Sequence, residues 1–176
     1  NQTGVSIMKI TEDLDTGPVM HQARISMNQN TDAKILTKVL SQLGAKALLD
    51  SINKIADGTA KFEEQDDSIA TYAKKISKAE GKIQWNISAK KILAKINGLN
   101  PNPGAWFEYK KERFKIWKAQ IVNENGEIGK TLDNKLTIFC KEQAIKILEI
   151  QKEGKSRQEV DQFLLGNKIK QGESIV

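Results

Sequence analysis

Three carboxylates, Glu12, Asp13 and Asp15, fall within four residues of the stretch EDLDTGPVM (12–20). Thr16, Gly17 and Pro18 follow as turn formers, and apolar, β-like runs flank the stretch on both sides. A carboxylate held at a strand end can orient a base or relay a proton, whereas a solvated loop carboxylate does neither. Asp and Gly are ordinary turn residues, so these residues alone leave a hairpin loop and a catalytic carboxylate both open. His21, the one histidine, sits in a strand-like run without a metal-spaced partner and reads as structural.

A second constellation lies far downstream. Trp106, Phe107, Tyr109, Phe114 and Trp117 are interleaved with Lys110, Lys111, Arg113, Lys115 and Lys118. Cations neutralise phosphates, and exposed aromatic rings stack on bases. A small barrel also needs large side chains inside, so most of these aromatics are expected in a core, with the cations left in water. Residues 1–68 carry 7 Lys/Arg and 10 Asp/Glu, a net −3, and residues 69–176 carry 21 and 12, a net +9. The two sum to the overall +6 and point to a polyanionic partner for the rear half, with a plain lysine-rich surface as the alternative.

The 176 residues suit one ordinary domain or two small ones, and 39% hydrophobic with 28% charged residues is a globular profile. No apolar run reaches the roughly 18 residues a membrane span needs. The N-terminus NQTGVSIMKI has neither an initiator Met nor a signal-peptide pattern, and reads as the start of a cut chain. One cysteine, Cys140, permits no internal disulfide and fits a reducing cytoplasm; with one histidine, a Cys/His zinc site is excluded and no metal is expected.

GVSIMKI (4–10) and VMHQARISM (19–27) read as strands. Asn30 or Thr31 can cap a helix starting at Asp32, with Leu36, Leu40, Leu43, Ala47, Leu48, Ile52 and Ile55 as its apolar stripe and Gly58 as its end. Residues 59–82 read as a linker, with a short helical piece around 70–77. Ser88 caps a helix whose face is Ile92, Leu93, Ile96 and Leu99. Five strands are expected at 105–109, 113–122, 127–132, 136–140 and 144–151, followed by a helix opened by a capping box from Ser156 to Glu159. The expected architecture is thus an α/β front segment at 1–58, the linker, and an OB-like barrel with flanking helices at 83–176.

The segments TGVSIMKI, EDLDTGPVM, TYAKKISKAEGKIQW and NPNPGAWFEYKKERFKIWKA, in this order and spacing, closely resemble the methionyl-tRNA formyltransferase family from Thr3 to about Gly166. The resemblance implies a Rossmann-like formyltransferase domain, of which residues 1–58 are the tail, and a rear domain that contacts tRNA. It implies formyl transfer from 10-formyltetrahydrofolate to the α-amino group of methionyl initiator tRNA, by a cytoplasmic monomer without metal. The family's site combines an Asn, a His and an Asp. The Asp carries over to Asp15; the Asn-x-His motif is not in this sequence, and neither Asn1 nor His21 takes its place. Asp15 would orient that His and relay a proton, while Asn and His serve the oxyanion and the leaving folate nitrogen. Asp13, Leu14 and Gly17 would line the folate pocket, and Lys74, Lys75, Lys78, Arg113, Lys115 and Lys118 would hold tRNA. The isolated chain is expected to be inactive. A formyltransferase for an amino sugar nucleotide and a non-catalytic RNA-binding module are the rival readings.

Overall fold

The structure, a computed structural model, describes every residue except Asn1, Gln29 and Val176. It divides into two compact units, Asn1–Lys75 and Ile76–Val176. The residues read as a linker contribute to both. Val19 and Glu63 exchange backbone hydrogen bonds of 2.8 and 2.9 Å in the first unit, and Lys82 bridges Trp106 in the second.

In the first unit β1 (Gln2–Met8) and β2 (Val19–Ser26) form an antiparallel pair, with a register shift between Ile7 and Met8. Helix α1 (Ala33–Ala56) packs on both strands. Its cap is Asp32, not Asn30 or Thr31: the Asp32 carboxylate accepts from the Ile35 amide at 2.7 Å, the geometry that satisfies an orphan first-turn donor. The expected apolar stripe splits. Leu36, Leu40, Leu43 and Gly44 are half-buried and Ala47 and Ser51 buried, but Leu48, Ile52 and Ile55 are exposed. Small residues at 44, 47 and 51 recur at helical spacing and define the face the helix buries.

The segment expected to be helical at 70–77 is not. Short 3₁₀ turns occupy Asp67–Ile69 and Ala79–Gly81, and residues 61–80 are all exposed. Without an apolar face to bury, so short a helix does not sustain itself.

The second unit holds the core. Helix α2 (Ala89–Leu99) buries Ile92, Leu93, Ile96 and Leu99 as its 3.6-residue period requires. Ser88 is its cap residue but makes no side-chain cap bond; the Ala89 amide instead donates to the Glu142 carbonyl at 3.1 Å. Strands β3 (Ala105–Tyr109), β4 (Glu112–Val122), β5 (Thr137–Phe139) and β6 (Ala144–Lys152) form an antiparallel sheet in the order β3-β4-β6-β5, and β7 (Gln158–Glu159) pairs with β6. The expected strand at 127–132 is a loop: isolated bridges join Lys130 to Ser174 and Thr131 to Ile138, and backbone hydrogen bonds tie Gly129 and Lys130 to Phe139 and Leu132 to Thr137. Two glycines, Gly126 and Gly129, and the positive φ of Gly129 (76°) explain why it does not extend. Helix α3 (Val160–Gly166) begins after Glu159, so Ser156 and Glu159 form no capping box; residue 159 is spent pairing with Glu149.

Between Ile116↔Ile150 and Lys118↔Glu149 the ladder skips Trp117. This bulge coils the sheet and changes which face each later residue of β4 presents. Phe107 stacks on Phe114 (centroids 5.5 Å apart), which meets Phe163 edge-on at 5.7 Å. Cys140 lies fully buried in the same core, and burial pushes its thiol up to about 12.

Candidate functional site

The acidic turn is exposed yet tightly fixed. Gly17 is buried, and a Cβ there would stand 1.8 Å from the Lys9 carbonyl oxygen, so only glycine lets the two strand ends approach. The Lys9 amide donates to the Pro18 carbonyl at 3.0 Å. The Thr11 and Thr16 hydroxyls both donate to the Asp13 carbonyl, at 3.3 and 3.2 Å. Asp15 itself sits in the left-handed region at φ 60°, which Asp adopts more readily than most residues. Its carboxylate is exposed, as are Asp13 and Leu14.

What locks this turn lies fifty residues away. The Gln65 side-chain amide donates to the carbonyls of Asp15 (2.8 Å) and Gly17 (2.7 Å). Gln65 is held there by the neighbouring Glu63–Val19 pairing. Nothing in EEQDD distinguishes this glutamine from a solvated one; only the tertiary pairing reveals it.

The cations divide. Lys74 and Lys75 are exposed in the first unit. Lys78, Arg113 and Lys115 come together in the second, lining one cavity of about 430 Å³ with Trp106, Gln151 and Glu153. Lys118 is exposed on β4 opposite Glu149 and does not line it. The interleaved aromatics also divide. Phe107, Tyr109 and Phe114 join the core, while Trp106 and Trp117 lie outside that cluster and are overlaid by cations. The Arg113 guanidinium lies 4.0 Å and the Lys82 ammonium 5.5 Å from the Trp106 ring centroid; Lys115 (5.5 Å) and Arg157 (5.2 Å) cover Trp117. Such contacts hold a cation without neutralising it.

The segment carrying Lys78 is clamped against this face. Trp106 Nε1 donates to the Lys78 carbonyl at 3.0 Å, and the Ile83 amide donates to the Trp106 carbonyl at 2.7 Å. A Cβ on Gly81 would come within 2.6 Å of the Gly104 carbonyl oxygen and 2.9 Å of the Trp106 ring, so glycine is required for the segment to lie flat. Lys82 pairs with Glu108 at 2.6 Å; that hydrogen bond, then the Lys82 charge, hold the Glu108 carboxyl below its ordinary value. Among the described residues no group of acidic, His and Cys side chains could hold a metal ion, and no helix is long and apolar enough to cross a membrane.

Residues 75–168 match the family described as Formyl transferase, C-terminal domain. The chain is 47% identical over 175 residues, 99% of its length, to the methionyl-tRNA formyltransferase of Pelagibacter ubique, and 39% identical over 173 residues, 96% of its length, to that of Nitrobacter hamburgensis. It spans 56% of the length of each of these relatives. Its fold is similar to that of HypX from Aquifex aeolicus solved in complex with tetrahydrofolic acid, with a TM-score of 0.70 at 17% identity, covering 99% of this chain and 34% of that one. With more than half of its residues inside the matched region and a sheet that carries its cations as described, the chain belongs to the formyl transferase family.

Proposed function

We propose that the protein to which this chain belongs transfers a formyl group from 10-formyltetrahydrofolate to the α-amino group of methionyl initiator tRNA in the cytoplasm. The observation that carries the reading is the 47% identity to a methionyl-tRNA formyltransferase along a stretch containing both the locked acidic turn and the cationic sheet face. In this reading residues 1–58 are part of the catalytic domain, 59–82 the linker and 83–176 an OB-like tRNA-binding domain.

The tetrahydrofolate bound to a structural neighbour supports a folate as the formyl donor. The residues present fit one wall of such a site: a rigid turn with Leu14 (92% exposed) and Ile10 (90% exposed) offers apolar surface beside a carboxylate. Asp13, Leu14 and Gly17 would contact the folate, which supplies the formyl group. An amine attacking a formyl carbon must lose a proton, and an oxyanion develops on the carbonyl oxygen. Asp15 acts on the first of these, orienting the base and accepting part of its positive charge. The Gln65 bonds to the Asp15 and Gly17 carbonyls keep that carboxylate from swinging with the loop. Lys74, Lys75, Lys78, Arg113, Lys115 and Lys118 would contact tRNA phosphates.

The test uses this chain joined to the Asn-x-His-bearing segment of a methionyl-tRNA formyltransferase that it resembles. Asp15→Asn should lower formyl transfer to methionyl-tRNA by about a hundredfold or more, with tRNA affinity unchanged. The 176-residue chain alone should bind tRNA and transfer nothing. Near-normal turnover in the variant, or transfer by the chain alone, would overturn the assignment.

A further inference from the structure

The cavity beside β3 and β4 is organised differently from a stacking platform. The one indole that lines it, Trp106, has Arg113 and Lys82 over its ring, and Trp117 on the same strand pair has Lys115 and Arg157 over its own. The Arg113 guanidinium lies against the Trp106 ring, and Trp106 is itself pinned by its bond to the Lys78 carbonyl. Lys115 is drawn across Gly104 and donates to the Pro103 carbonyl at 2.9 Å, which spends one of its three protons and leaves two. Against these three cations the cavity lining holds one carboxylate, Glu153. Glu108 is engaged by Lys82, and Glu149 by Arg157 through a two-point contact.

Arg113 Nε is buried and has no hydrogen-bond partner. A guanidinium N–H shut away from water without an acceptor is unfavourable, and such groups are rare and mark strained or functional positions. A stacked guanidinium presents its N–H groups in the ring plane, the arrangement that meets two oxygens of a phosphate at once.

We propose that Lys78, Arg113 and Lys115 form a discrete pocket for one phosphodiester group, in which the terminal N–H groups of the Arg113 guanidinium bind two non-bridging oxygens. The two lysines supply the remaining charge. Resting on the tRNA reading above, the pocket fixes one backbone phosphate of that RNA in place, where Lys118 only adds to the surrounding field. It reads position and no sequence.

Two measurements separate the pocket from the partner. The first is the Arg113 Nε–H resonance of the ¹⁵N-labelled chain, assigned by its loss in Arg113→Lys. Inorganic phosphate should shift it saturably, and Lys78→Ala/Lys115→Ala should remove the shift. A resonance that phosphate does not move overturns the pocket, whatever tRNA does. The second is tRNA affinity across salt concentrations. Arg113→Lys keeps the charge but not the fork, so it should weaken binding about tenfold with the salt slope unchanged. Lys118→Ala should instead flatten the log–log slope by roughly 0.7 to 0.9. Arg113→Lys with wild-type affinity would mean a diffuse cationic surface and overturn the pocket while the tRNA reading stands. A saturable phosphate shift in a chain that does not bind tRNA would uphold the pocket and overturn the tRNA reading. Unchanged Trp fluorescence unfolding of Arg113→Lys rules out misfolding as the cause.

Discussion

The two helices α1 and α2 carry comparable apolar sequence and meet opposite fates. In α2 every apolar position of the stripe disappears into the core, and Ile92 and Ile96 are fully buried. In α1, Ile35 (52%), Leu49 (64%), Ile52 (50%) and Ile55 (57%) are exposed, and the buried residues are Ala47 and Ser51. The difference lies in what each helix packs against. α2 faces a coiled multi-stranded sheet with large inward side chains, whereas α1 faces a two-stranded pair. Burying one large apolar side chain stabilises by about 1.5–3 kcal/mol, so the second unit carries most of the stabilisation. The first unit presents apolar surface beside its acidic turn, and the second presents charge.

This contrast is easiest to break with truncations of like size. Phe107→Ala removes a fully buried ring from the second unit's core and should cost about 3–5 kcal/mol, while Ile52→Ala on the exposed face of α1 should change stability by less than about 1 kcal/mol. Urea unfolding distinguishes them, because all three tryptophans, Trp85, Trp106 and Trp117, lie in the second unit. Tryptophan fluorescence follows that unit alone, and far-ultraviolet circular dichroism also follows α1. Dichroism should therefore begin to fall at lower urea than fluorescence; coincident curves would show one cooperative body instead.

A smaller effect sharpens how the first unit holds its turn. Gln65→Ala removes two hydrogen bonds from the Asp15–Gly17 turn and should destabilise it by about 1–2 kcal/mol. Faster amide exchange at residues 12–18, with exchange in the second unit unaltered, is the expected readout. Exchange unchanged at the turn would make Gln65 incidental.

The smallest effect tests the second unit's loops. Burial acts to raise Asp133, but hydrogen bonds from the Thr137 hydroxyl and the Thr137 and Lys135 amides outweigh it, leaving the carboxyl below its ordinary 3.8. A folded value lower than the unfolded one stabilises above the ordinary carboxylate range and loses that stabilisation as pH falls through the folded value. Asp133→Asn should therefore cost about 1 kcal/mol at pH 7, and the gap from wild type should close as pH falls below about 4. A gap independent of pH would assign the effect to shape, not charge.

Much of this was readable from residue order, for reasons that differ by region. Strands β3, β4 and β6 and helix α2 lie where their sequences put them because a local pattern and the core it faces agree, although the bulge at Trp117 shifts the alternation within β4 and β6 and β3 is buried on both faces. The failures occur where local pattern yields to distant contacts. Residues 127–132 alternate like a strand, but Gly129 turns them away and the C-terminal residues pair there instead. The capping box at Ser156 and Glu159 is overridden by pairing with β6. Of the six proposed tRNA-contacting cations, spacing alone could not say that Lys78, Arg113 and Lys115 would meet, since Lys78 reaches the sheet only through the Trp106 clamp. Gln65 carried no signal at all.

The buried Cys140 thiol, raised to about 12, gives the molecule a silent background for chemical labelling. Only the thiolate reacts with maleimides and iodoacetamides, and at neutral pH almost none of this residue is in that form. A cysteine placed at an exposed position such as Gln42 in the first unit or Glu124 in the second would be the one reactive thiol in the chain. A single dye or spin label could then be attached site-selectively in the native protein, without first replacing a core residue, to follow either unit as RNA is added.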